Sequence, residues 1–99
     1  MTMPVRKVVQ KVRNLLITDG WCQGDYVNHK GQYCLVGALE ASTSSYYLRN
    51  SFHKRVETLI NLNKHEENEN WAWDNIIEWN DDSGRTKRQV LALLKKADY

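Results

Sequence analysis

From the fifth residue onward, apolar side chains recur at three- and four-residue steps: Val5, Val8, Val9, Val12, Leu15 and Leu16. Arg6, Lys7, Gln10, Lys11 and Asn14 fall between them. That period lines one side of an α-helix, whereas a strand would need alternation every second residue. Pro4 suits the first turn of such a helix, where its missing N–H has no partner to lose. Thr18-Asp19-Gly20 ends it, with Gly20 able to take the left-handed cap conformation.

The same period returns at Val90, Leu93, Leu94 and Ala97. Gly84 breaks the chain before it, Thr86 can cap the new helix, and Gln89 sits where a capping box needs its second member. Lys95 and Lys96 suit the negative end of that helix. Between these two elements, Cys34, Leu35, Ala38 and Leu39 share the face of a short helix, and Gly37 leaves room for another backbone to approach. Leu48, Phe52, Val56, Leu59 and Ile60 give a stripe across 46–61. Trp73, Ile76 and Ile77 predict one more short helix, although aromatic residues there would also suit a strand. Trp21 to Gln32 is predicted as a loop with a turn at Asn28–Gly31, and 61–70 as a polar loop. The expectation is an all-α fold, a small single-domain bundle of four to five helices over residues 1–99.

A chain of 99 residues buries a little over ~60% of its unfolded surface, enough for one modest core. No apolar run is long enough to span a membrane, and the start has no secretory pattern, so a cytoplasmic protein is expected. The net charge of +2 says little, but the charges are unevenly spread. Arg6, Lys7, Lys11 and Arg13 precede the first acidic residue, whereas Glu66–Asp82 holds seven of the twelve carboxylates and no lysine or arginine. Arg85, Lys87 and Arg88 open the last helix as a recognition helix might, yet the acidic segment before them and the missing short-turn partner argue against nucleic acid. The basic first helix lacks the aromatic residues of a membrane-surface anchor.

Several residues could carry chemistry. Cys34 stands at a helix start, where unpaired N–H groups favour a thiolate, and it is the candidate nucleophile of an enzymatic reading with Asn80 or Asp81 as orienting groups. The opposing reading is a small buried apolar residue, as free cysteines usually are. A Cys22–Cys34 disulfide would not normally persist in a reducing compartment. Zinc could be assembled from Cys22, Cys34, His29 and one more ligand, but Cys-x-x-Cys is missing and His29, His53 and His65 are not paired on a helix. No metal or cofactor is therefore expected. Asn80 and Asp81 could bind a polar ligand and Arg85 an anion. The same residues also make a turn and a helix start, with Arg85 pairing to Asp81 across it.

The four tryptophans, Trp21, Trp71, Trp73 and Trp79, supply large contact areas with one polar atom each. A regular helix cannot aim both Trp71 and Trp73 at one core, which points to an interaction surface.

Three pieces, GWCQG at 20–24, YCLVGALEA at 33–41 and WNDDSGRTKRQVLALLKKA at 79–97, resemble a family of small uncharacterised domains of bacteria, notably actinobacteria, and their phages. The likeness lies in Trp21, Cys22 and Gly24, in Cys34, Gly37, Ala38 and Leu39, and in Asn80, Asp81, Gly84, Arg85 and Thr86. It implies that Cys22, Cys34, Asn80, Asp81 and Arg85 form one recurring arrangement brought together in space, without a histidine. The family supplies no activity to transfer, and a phage origin would fit a small accessory protein that blocks a host or defence factor.

The expected function is non-enzymatic binding to a protein partner through Trp21, Cys22, Trp71, Trp73, Trp79, Asn80, Asp81 and Arg85. The alternatives are a cysteine-dependent enzyme using Cys34, or a ligand or metal site between the Trp-Cys loop and the Asn-Asp turn.

Overall fold

The computed structural model describes residues 4–60 and 72–99, the side chains of 72–74 apart. Five helices follow one another: α1 (Val5–Thr18), α2 (Leu35–Ser42), α3 (Tyr46–Ile60), α4 (Ala72–Asp81) and α5 (Lys87–Ala97). Among the described residues there is no strand, and the fold is all-α as the apolar periods require. The polar loop expected at 61–70, with His65, lies outside the described residues, as do Trp71 and the side chain of Trp73.

Helix α1 buries Val8, Val9, Val12 and Leu16, the centre of its stripe. Pro4 is its N-cap, one position earlier than the first turn, where a fixed extended residue costs nothing. Gly20 takes φ 103° just beyond the Asp19 cap. Helix α5 starts with the full capping box: Gln89 N–H donates to Thr86 Oγ1 at 3.2 Å, and Thr86 N–H donates to Gln89 Oε1 at 3.1 Å.

Helix α2 is more enclosed than its stripe suggests. Every residue from Leu35 to Leu39 is buried, because a helix that is apolar all round needs neighbours all round. α1 and α4 supply two of them. The 21–33 loop supplies a third: a Cβ at Gly37 would collide with the Tyr26 carbonyl. Gly37 therefore admits another backbone, as its residue type suggested. Opposite lies the common core, where Phe52 and Val56 of α3 and Val90 and Leu94 of α5 join Val8, Val12 and Leu16. α3 also buries His53 and Glu57, which its apolar stripe does not announce.

Candidate functional site

Trp21 to Tyr33 leaves α1 and folds back to start α2. Two isolated bridges hold it, Trp21 parallel to Tyr33 and Val27 antiparallel to Tyr33. At its tip Asn28 makes the expected turn: its carbonyl accepts Gly31 N–H at 2.9 Å, and its Oδ1 accepts the N–H groups of Lys30 and Gln32. His29 sits on this turn, exposed.

The loop docks on the C-terminal end of α4, and one side chain lies at the centre of the contact. Asn80 is 1% exposed, and its carboxamide makes four hydrogen bonds. Oδ1 accepts Trp21 Nε1–H at 2.7 Å and Leu35 N–H at 3.1 Å. Nδ2 donates to the Cys22 carbonyl at 3.1 Å and to Asp81 Oδ1 at 2.8 Å. Two lone pairs and two N–H groups are all that a carboxamide has, so its capacity is spent. Asp81 Oδ1 also accepts Gly24 N–H at 3.1 Å. Gly24 holds φ 86°, a conformation that glycine reaches without strain.

Gln23 adds a contact that sequence reasoning missed: its Nε2 donates to the carbonyls of Asn80 (2.9 Å) and Asp82 (3.0 Å). The Asn80 carbonyl belongs to the last turn of α4, where carbonyls lack partners within their own helix, and Asp82 follows directly after it. An exposed glutamine in a loop carries no signal that would have revealed this.

Arg85 does not strap the turn to Asp81, as its position suggested. Asp81 faces Gly24 and Asn80, and the Arg85 guanidinium meets Asp82 at 3.5 Å instead. Its Nε donates to the Trp79 carbonyl at 2.8 Å, and the guanidinium lies 3.9 Å from the Trp79 ring centroid. Trp79 is half-buried beneath it, packed against the core. Trp21, Cys22, Asn80 and Asp81 thus meet in one hydrogen-bonded junction, with Arg85 and Trp79 at its edge.

Both cysteines are buried, Cys22 at 8% and Cys34 at 5% exposure. Cys34 is the N-cap of α2, and its Sγ accepts Gly37 N–H at 3.3 Å. Those helix amides favour a thiolate, yet burial outweighs them and raises the thiol above its usual range. Cys22 Sγ donates toward the carbonyls of Gln32 (3.3 Å) and Asp25 (3.5 Å), and burial is the main cause of its raised pKa. Burial thus holds both thiols toward their protonated form.

His53 is buried in α3, its pKa pushed down to about 4 by burial. Among the described residues, no three histidine, cysteine, aspartate or glutamate side chains come together to hold a metal ion. An open cleft of about 370 Å³ lies beside the junction, lined by Gly24, Asp25, Tyr26, Cys34, Ile77 and Asp81.

A family model covers residues 1–98. The chain belongs to DUF6197, a family of unknown function. No curated protein and no solved structure matches this DUF6197 chain. In this DUF6197 domain no helix among the described residues is long and apolar enough to cross a membrane.

Proposed function

We propose that the domain is a small cytoplasmic accessory protein that works by binding another protein, without catalysis. In its sharpest form the reading is of a bacterial or phage protein that blocks a host or defence factor. The observation that supports it is the exhausted carboxamide of Asn80. The residues with most chemistry to offer are turned inward on one another, which suits an architecture that presents a surface.

That surface is the C-terminal end of α4, where Glu78, Asp81 and Asp82 are exposed around the half-buried Trp79 and Trp21. Acidic groups beside aromatic edges suit a basic protein partner and disfavour nucleic acid. The test is capture from host cells by the wild-type domain and by a Glu78→Lys/Asp82→Lys variant checked for native folding. A captured protein should bind the purified domain directly, and the variant should weaken that binding at least about tenfold. Capture that fails to rebuild from purified components, or that ignores both reversals, overturns the reading.

The cleft beside Cys34 favours a second reading, a ligand or cysteine-dependent site. It requires rapid thiol labelling of Cys34 in the folded protein near neutral pH.

A further inference from the structure

The two cysteines stand in a specific register. Tyr33 N–H donates to the Gly20 carbonyl and Cys22 N–H donates to the Tyr33 carbonyl, each at 3.0 Å. This pair of bonds is what pairs Trp21 with Tyr33 as a parallel bridge. One residue further along both segments come Cys22 and Cys34. Side chains alternate along extended backbone, so both cysteines point to the side opposite Trp21 and Tyr33. Cys34 is itself extended, at φ −81° and ψ 174°.

Paired extended segments run ~4.8 Å apart, inside the ~4.4–6.8 Å range of Cα separations that a disulfide spans. Cys34 is also among the groups that raise the Cys22 pKa, after burial.

We propose that Cys22 and Cys34 form a reversible redox pair, a dithiol in the reduced protein that closes to an intramolecular disulfide when the compartment becomes oxidising. The oxidant is a low-molecular-weight disulfide such as oxidised glutathione. Cys34, which lines the open cleft, loses its proton and attacks one sulfur of that disulfide, expelling a thiolate that takes up the proton. Cys22 then loses its proton and attacks the Cys34 sulfur of the mixed disulfide, expelling the second thiolate, which is protonated in turn. The protein dithiol has lost two electrons and two protons, and one small disulfide has become two thiols.

In the dithiol each sulfur makes a hydrogen bond of its own. Closing the link turns Cys34 Sγ away from Gly37 N–H and Cys22 Sγ away from the Gln32 carbonyl, at 3.3 Å each. Oxidation therefore trades the α2 cap for a covalent tie between loop and helix. Raised thiol pKa values make the exchange slow at neutral pH and faster as pH rises. Intracellular disulfides of this transient kind are those that sense redox state.

The experiment equilibrates the wild-type chain in glutathione redox buffers, folded and in concentrated urea. Acid quenching and alkylation of remaining thiols follow. The expected product is a monomer that has lost two hydrogens, whose only disulfide-linked peptide joins Cys22 to Cys34 and which dithiothreitol restores. At a fixed concentration of reduced glutathione, half-oxidation of the folded chain should need at least about tenfold less oxidised glutathione than in urea, because the fold holds the thiols in register. Equal midpoints in the two states overturn the proposal, as do persistent mixed disulfides or intermolecular dimers. Cys34→Ser preserves a capping oxygen and should leave Cys22 as a glutathione adduct alone. Circular dichroism of the oxidised wild type provides a second readout, and a native spectrum is expected.

Discussion

The apolar layer between α1, α3 and α5 and the polar junction at Asn80 are both buried, but they are held in different ways. In the layer, Val8, Val12, Leu16, Phe52, Val56, Val90 and Leu94 are all fully enclosed, and their attraction is non-directional. Many shapes of similar volume could fill that space at modest cost. In the junction, one carboxamide serves two acceptor and two donor duties at once. Aspartate would lack the donors, leucine would lack everything, and glutamine would place the same group one methylene too far. Burial is shared out among many residues in the first region and concentrated on one in the second.

The largest effects should come from breaking each region at its centre. Phe52→Ala is expected to cost about 3–5 kcal/mol by urea denaturation, because the fully enclosed ring leaves a cavity. Asn80→Ala removes far fewer atoms, yet should still cost about 3 kcal/mol. It strands the Leu35 amide and the Cys22 carbonyl, and leaves the Trp21 indole without its acceptor. A loss below about 1 kcal/mol would show the junction to be dispensable. The comparison is sharpest in the recovery: a second apolar residue can refill the Phe52 site, whereas none should restore the Asn80 site.

A third test uses pH and the buried histidine of α3. Burial lowers the His53 pKa from 6.5 to about 4. As pH falls below the unfolded value, the unfolded chain takes up a proton that the folded chain refuses. The His53 contribution to stability is therefore fully present above about pH 6.5 and falls by about 3 kcal/mol toward pH 4. His53→Leu should flatten that slope in denaturation curves taken across the interval. A slope that survives the substitution would assign it to other groups.

Smaller effects belong to the rim of the junction. Cys34→Ala removes the acceptor for Gly37 N–H and should cost about 1 kcal/mol, while Cys34→Ser should stay within about 0.5 kcal/mol of wild type. Smallest of all is Arg6→Ala, which breaks an exposed ion pair of 2.7 Å with Asp98. Its midpoint should barely move, and raising the salt concentration should erase the difference.

The two regions also differ in how far they could be read from the amino acids. Valines and leucines at helical spacing announce α1 and α5 with their caps, since the period and the cap are local chemistry. Gly37 was legible for a related reason, a glycine within an otherwise well-formed apolar helix. The junction was legible only as a set of motif residues, Trp21, Cys22, Asn80 and Asp81. Which atom meets which depends on bringing positions 59 apart in the chain together. Arg85 shows the limit: both Asp81 and Asp82 are within its reach in the sequence, and only Asp81's engagement with Gly24 and Asn80 decides for Asp82. His53 was equally hidden, because a polar residue on an apolar face looks the same whether it is enclosed or wet. The short helix containing Trp79 was ambiguous with a strand until its carbonyl end was seen docked on Gln23.

The Leu35 amide donates to a side chain contributed by a helix 45 residues away. Its hydrogen exchange therefore gauges whether the loop, α2 and α4 come apart together. If the three separate only when the whole chain unfolds, that single proton should exchange as slowly as the most protected amides of the molecule. If they part earlier, it should exchange faster, and the gap between the two rates would measure the free energy of undocking alone.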